Sequence, residues 1–163
     1  MPVLACGAVQ AAQHSDLDAI AALEASCGRD HWSPAQLAAE WEIPQSRFFV
    51  FRPGTGQPAT GYIGLRLVVD EAEVLRLAVL PAHRGQGIGT RLVRHACAAL
   101  EQEGAGRLFL EVRPSNTVAR HLYAQAGFQP VGRRSHYYQQ PDEPALILTR
   151  VRPSAGPLAL QPS

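Results

Sequence analysis

The sequence has few of the features that would assign it to a disulfide-rich or metal-binding class of proteins. Its 163 residues include only three cysteines, Cys6, Cys27 and Cys97, which are odd in number and far apart. They predict reduced thiols in a cytoplasmic protein, rather than a disulfide framework or a zinc site. The six histidines show no spacing typical of metal ligands, so no metal site is expected.

Long apolar runs and a strong net charge are also missing. No apolar stretch approaches the length of a membrane-spanning helix, and the first residues lack the basic start of a secretory signal. The formal net charge is +1, so we expect neither a nucleic-acid surface nor a membrane-binding face. The length suits a single domain, placed at residues 1–151, followed by a flexible proline-containing tail at 152–163.

Two common phosphate-binding motifs are absent. No Gly-Lys pair precedes a serine or threonine, which excludes a Walker loop, and the dinucleotide fingerprint GxGxxG fails at both possible starting glycines. The sequence has instead Arg84-Gly85-Gln86-Gly87-Ile88-Gly89, followed by Thr90. This glycine-rich turn stands between an extended apolar run, 74–80, and a long amphipathic pattern that ends near Gly104.

A strand, a glycine turn and a helix start together predict an anion site. The first N–H groups of a helix have no partner within the helix, and the helix dipole favours negative charge there. Glycine lets the backbone approach a diphosphate closely, and Arg84 adds a positive charge. Taken alone, the loop could equally be an ordinary turn between a strand and a helix.

The rest of the chain alternates between strand and helix patterns. Strands are predicted near 47–52, 61–69, 73–80, 107–112, 128–138 and 145–151. A helix should begin after Ser33, with Gln36 completing a capping box, and another after Asn116. Trp32 can pack on Leu37 as a hydrophobic staple, or it can line a substrate groove.

The segment 110–116, Leu-Glu-Val-Arg-Pro-Ser-Asn, followed by Leu122-Tyr123 and Ala126-Gly127-Phe128, carries a family resemblance. Together with the Arg-x-x-Gly-x-Gly loop, it resembles the GNAT N-acetyltransferases, and in particular the RimI-type enzymes that acetylate the N-terminal alanine of a ribosomal protein. Trp32-Ser33, Tyr137-Tyr138 and Asp142-Glu143 match further parts of that pattern.

The resemblance implies an α/β (α+β) GNAT fold: a mixed, strongly bent, mostly antiparallel sheet with a splayed central strand pair, flanked by helices. Acetyl-CoA would be the cofactor. Its pantetheine arm would lie between strands 73–80 and 107–112, against the backbone of Leu77, Ala78 and Val79 and near Asn116. Its diphosphate would be held by the loop residues Arg84, Gly85, Gln86, Gly87, Ile88, Gly89 and Thr90.

The same resemblance implies that Glu111 is the general base and Tyr123 the general acid. Read without it, Glu111 could form a structural ion pair with Arg113, and Tyr123 could be a core aromatic residue. Tyr137 and Tyr138 could be a packing pair in a hairpin or part of a peptide groove.

The expected partner is therefore a protein N-terminus, such as that of a ribosomal protein, and the reaction is acetyl transfer by direct attack. One alternative is a GNAT that acetylates a small-molecule amine or a lysine. Another is a non-catalytic acyl-CoA-binding module, which the pairing of Glu111 with Tyr123 argues against. The sequence indicates no oligomeric state.

Overall fold

In a computed structural model, described for residues 6–138 and 142–153, one seven-stranded sheet carries helices on both faces. Four α-helices are present in this part of the chain: α1 (Leu17–Ala25), α2 (Pro34–Trp41), α3 (Ile88–Gln102) and α4 (Thr117–Gln125). The strands are β1 (Ala8–Ala11), β2 (Ser46–Arg52), β3 (Gly61–Val68), β4 (Glu71–Val79), β5 (Arg107–Val112), β6 (Gln129–Tyr138) and β7 (Glu143–Val151).

The strand order is β1-β2-β3-β4-β5-β7-β6. Every neighbouring pair is antiparallel except β4 and β5, which run parallel. The sheet is thus mixed and mostly antiparallel, as predicted, and β5 matches its expected bounds at both ends. The strand order places β7 inside the sheet, between β5 and β6, so that β6 forms an edge.

Two apolar clusters hold the helices on opposite faces of the sheet. The larger one joins α3 and α4 to the sheet through Leu92, Ala96, Leu108, Leu110 and Tyr123. The smaller one joins α1 and α2 to the other face through Ile20, Leu23, Leu37 and Tyr62. Among the described residues, no helix combines the length and apolar character needed to cross a bilayer.

Local sequence signals set the helix starts. Ser33 accepts the Gln36 N–H and the Gln36 side chain accepts the Ser33 N–H, which confirms the predicted capping box of α2. The Asn116 side chain accepts the Ala119 N–H at 3.1 Å and caps α4. These caps fix where α2 and α4 begin, and so where the loops before them meet the sheet.

Candidate active site

The central feature of the site is the early separation of β4 and β5. Among the described residues, their parallel pairing covers Glu71 to Glu73 on β4 and Arg107 to Phe109 on β5, and it ends there. Beyond that point the two strands form the walls of a cavity of about 740 Å³. The predicted splayed strand pair is confirmed, and it leaves an extended slot in the middle of the sheet.

Most of the predicted cofactor residues line this slot. They are Leu77, Ala78, Val79, Arg84, Gly85, Gly87, Ile88, Gly89, Thr90 and Asn116. Gln86, which was predicted with them, is not among the lining residues. The residues that the sequence pattern grouped as a thioester and diphosphate site therefore meet at one cavity.

The glycine loop has the geometry of an anion cradle. Gly85 and Gly87 have φ angles of +77° and +80°, in the left-handed region that favours glycine, and Gly87 is the N-cap of α3. A Cβ on Gly89 would come within 2.8 Å of the Leu122 side chain, so glycine lets α3 start close to α4. The N–H groups at the start of the 15-residue α3 thus border the slot.

Two arginines near this loop donate hydrogen bonds to backbone carbonyls of other elements. Arg84 donates from Nε to the Val79 carbonyl at 3.0 Å, which fixes the loop against the end of β4. Arg91, on the first turn of α3, donates to the Gly7 carbonyl at 2.7 Å and lies over the Phe51 ring. Arg91 therefore contacts the N-terminal strand region, because it lies on the α3 face towards β1 and β2.

Glu111 and Tyr123 both line the slot, as predicted. Glu111 lies on β5, where Leu110 and Val112 point into the α3 cluster, so its side chain faces the α1 and α2 side of the sheet. Its ion-pair partner is Arg134 of β6 at 3.2 Å, not Arg113, which is the alternative raised by the sequence. The Glu111 side chain is 14 % exposed.

Tyr123 approaches from α4 and is 6 % exposed. Its ring packs edge-on against Phe128 at 5.4 Å between centroids. It is thus a core aromatic and a slot residue at once, so the two readings of Tyr123 are compatible.

A second carboxylate, Glu73, lies just before the point where the strands separate. It pairs in register with Phe109, two residues before Glu111, and faces the same side of the sheet. Burial raises the pKa of Glu73, and the negative charge of Glu111 raises it further. The sheet face that Glu111 occupies therefore carries a pair of carboxylates, with Arg134 beside them.

A buried ionic cluster that sequence reasoning missed supports the β4 wall. Glu24 of α1 is fully buried and accepts Arg76 of β4 at 2.8 and 2.7 Å, the Tyr62 hydroxyl, and the Trp32 N–H at 2.9 Å. Burial alone would raise the pKa of Glu24, but these hydrogen bonds outweigh it and the pKa is lowered. The partners lie up to 52 residues apart, so no local pattern could have linked them.

The predicted substrate-groove residues fall outside this cavity or outside the described side chains. Trp32 is partly buried in the α1 and α2 cluster, with the Arg76 guanidinium 5.5 Å from its ring centroid, and it is not a lining residue. This placement agrees with the staple reading. The backbone of Tyr137 and Tyr138 belongs to β6, and their side chains are outside the described residues, as is the tail from residue 154.

Comparison with known proteins gives matches to N-acetyltransferases. The family model described as acetyltransferase (GNAT) family matches residues 17–128. The N-alpha-acetyltransferase RimI of Mycobacterium tuberculosis is 35 % identical over 148 residues, covering 87 % of this chain and 90 % of the relative. The ribosomal protein bS18-alanine N-acetyltransferase of Escherichia coli K12 is 30 % identical, covering 86 % and 94 %.

A solved structure agrees with these matches. The crystal structure of the Escherichia coli ribosomal-protein-S18-alanine N-acetyltransferase superposes with a TM-score of 0.83 at 29 % identity, covering 93 % of this chain and 97 % of that one. The slot, the glycine loop and these matches agree on one family. The chain belongs to the acetyltransferase (GNAT) family and is an N-acetyltransferase whose acetyl donor is acetyl-CoA.

Proposed function

We propose that this chain acetylates the α-amino group at the N-terminus of a protein, with ribosomal protein bS18 as the leading candidate. The observation that carries the proposal is the slot between β4 and β5, bordered by the glycine loop at one end and by Glu111 and Tyr123 within. Relatives named for bS18-alanine acetylation, at 30 % identity over most of the chain, supply the substrate class.

The donor, acetyl-CoA, supplies an activated thioester when bound. The glycine loop and the start of α3 would hold its diphosphate with backbone N–H groups, and Arg84 would add charge. The backbone of Leu77, Ala78 and Val79 would hold the pantetheine arm, because β4 has no ladder partner on that edge past Glu73 in the described chain. Asn116, at the opposite wall, would contact the same arm.

Glu111 would accept the proton that the attacking ammonium must lose, either directly or through a water. Its side chain lies on the face opposite α3, and we expect the amine to enter from that side. The Tyr123 hydroxyl would donate a proton to the departing thiolate from the α4 wall. Arg134 would hold the Glu111 carboxylate in place.

An α-amino group suits one carboxylate better than a lysine does. Its ordinary pKa is about 8 and that of lysine about 10.4, so roughly a hundred times more of it is neutral near pH 7. An N-terminal acceptor therefore needs less help in losing its proton.

The test is a mass-shift assay with acetyl-CoA and a peptide panel that varies the first residue. The panel includes the bS18 N-terminus, the same peptide with a blocked α-amine, and a lysine peptide with a blocked N-terminus. We expect a 42 Da gain, the mass of an acetyl group, on the free α-amine of the alanine-starting peptide only. Acetylation of the blocked lysine peptide or of a panel of small amines, without the N-terminal peptide, would reject the proposal.

The sequence itself removes one background from this assay. All fifteen of its Lys and Arg residues are arginines, so the enzyme has no lysine to modify. An acetyl amide found on the enzyme can therefore be assigned to its own α-amine, and hydroxylamine removes any acetyl thioester from its three cysteines. The intact mass of the enzyme after that treatment is a second readout.

A further inference from the structure

The loop between α1 and α2 forms part of the slot wall on the side that Glu111 faces. Its residues Cys27 and Asp30 line the cavity. The loop is attached to the β4 wall, because Glu24 at the end of α1 accepts both the Trp32 N–H and the Arg76 guanidinium. Any contact from this loop to β5 therefore crosses the slot.

Asp30 makes such a contact with Arg113, which directly follows β5. Arg113 Nε lies 2.9 Å from one carboxylate oxygen of Asp30, and a terminal nitrogen lies 3.2 Å from the other. Arg113 is well past Phe109, the last residue of β5 that pairs with β4, and it also lines the cavity. The ion pair thus joins the two walls over the amine side of the slot.

Arg113 is the more buried of the two partners. The Arg113 side chain is 16 % exposed and also lies 3.6 Å from Glu143, which in turn accepts the Ser115 hydroxyl at 3.0 Å. Asp30 is 51 % exposed and sits on a short turn. An ion pair this exposed is weak, so it can form and break without unfolding the protein.

We propose that the Asp30–Arg113 ion pair is a positioning contact that sets the width of the amine entrance and fixes the α1–α2 loop against the bound acceptor. The proposal rests on the proposed function, in that the acceptor is taken to be a protein N-terminus. Neither residue takes part in proton transfer. Losing the pair weakens acceptor binding and leaves the chemical step and donor binding unchanged.

The test compares steady-state kinetics of native enzyme, Asp30→Asn, Arg113→Asp and the charge-swapped double variant Asp30→Arg/Arg113→Asp. The acceptor is whichever peptide the panel identifies. We expect Asp30→Asn to raise the peptide KM about two- to fivefold, the range for one exposed ion pair, with kcat and the acetyl-CoA KM unchanged. Arg113→Asp should raise the peptide KM further, and the swap should restore it towards the native value.

Glu143→Gln is the matched control. Glu143 contacts Arg113 from β7, the strand that pairs with β5, so this variant removes a charge near Arg113 without breaking the contact across the slot. Its peptide KM should stay native. Salt offers a second readout, since high salt should raise the peptide KM of the native enzyme but not that of Asp30→Asn.

An unchanged peptide KM in Asp30→Asn would overturn the proposal, and so would a swapped variant as weak as Arg113→Asp alone. A fall in kcat without a rise in KM would assign the pair to the chemical step instead. If the panel yields only a small amine as acceptor, N-terminal acetylation fails as the function. The same KM comparison with that amine then still decides the role of the pair.

Discussion

The Glu111 carboxylate has an unlike charge on one side and a like charge on the other. Arg134 lies 3.2 Å away on β6, and Glu73 lies two positions back along the strand pair, with its pKa raised by burial and by Glu111. This face of the sheet therefore carries two neighbouring carboxylates. Of these two, Glu111 lines the slot and Glu73 does not, so we assign the proton transfer to Glu111.

Replacing Glu111 by Gln should lower kcat by a factor of roughly 100 to 10,000, the usual contribution of a general base. The acetyl-CoA Kd should stay close to native, because the glycine loop is untouched. Glu71→Gln is the control: it lies on β4, the other wall strand, its side chain is 50 % exposed, and it is not a lining residue. Steady-state kinetics measure kcat in both variants. An equal loss of kcat in Glu111→Gln and Glu71→Gln would contradict the role of Glu111.

The buried Glu24–Arg76 pair should make stability depend on pH. The folded pKa of Glu24 is lowered, so its contribution is present above the unfolded pKa of about 4.3 and is lost as pH falls through the folded pKa. Glu24→Gln should cost about 3–5 kcal/mol at neutral pH, because Arg76 keeps its charge in a largely buried position. The difference in free energy of unfolding between Glu24→Gln and native protein should become smaller at acid pH.

Urea unfolding of both proteins over a series of pH values measures this gap. Glu103→Gln is the comparison variant, since its pair with Arg47 is 34 % and 40 % exposed on the two side chains. It should change the free energy of unfolding by about 1 kcal/mol or less. A gap between Glu24→Gln and native protein that stayed constant down to acid pH would rule out the linkage.

At the scale of elements, the turn from β4 into α3 combines a fold requirement with a binding requirement. A comparison of Gly85 with Gly56 distinguishes the fold requirement from the binding requirement. Both glycines have φ near +75°, and a Cβ on either would meet nothing within 4 Å. Gly85 lines the slot, whereas Gly56 is in the turn between β2 and β3. The backbone cost of alanine is thus the same at both sites.

We expect Gly85→Ala and Gly56→Ala to lose a similar amount of stability, about 1–2 kcal/mol from the left-handed backbone. Only Gly85→Ala should weaken acetyl-CoA binding, because its methyl group stands where the backbone must approach the diphosphate. Isothermal titration and thermal unfolding of both variants measure the two effects. Equal donor affinities would show that the loop does not contact the donor closely.

Local elements of this fold could be predicted from the sequence, and their partners could not. The capping box of Ser33, the cap at Asn116 and the bounds of β5 follow from neighbouring residues, so their patterns were sufficient. Arg91 is close to the glycine loop in sequence, yet its side chain contacts Gly7, 84 residues away. Strand register and sheet order decide such contacts, and a single sequence does not encode them locally.

Strand order also explains why the contacts around the site residues could not be predicted from the sequence. Glu111 and Tyr123 could be found because a family pattern spans both, while their setting depends on three strands brought together by the strand order. Arg134 of β6 reaches Glu111 of β5 although β7 lies between them in the sheet. Asp30 meets Arg113 across 83 residues, and nothing in either short stretch predicts the other.

For the molecule as a whole, donor binding should stabilise the fold strongly. A ligand at about 100 times its Kd adds about 2.7 kcal/mol to the free energy of unfolding. For a chain of 163 residues this corresponds to a rise in Tm of roughly 5–10 °C. Differential scanning fluorimetry with acetyl-CoA and with a CoA fragment lacking the diphosphate measures it, and an equal rise with both would contradict a diphosphate-centred site.

Because β4 and β5 pair through three residues each, the sheet consists of two smaller sheets that are joined at one end. A pantetheine arm bound between the two separated strands would take the place of a strand there, because its amide groups can hydrogen-bond to the backbone on both sides. Cellular levels of the donor would then govern more than turnover. They would also set how often the unpaired edges of β4 and β5 are exposed to proteases or to a strand of a neighbouring molecule.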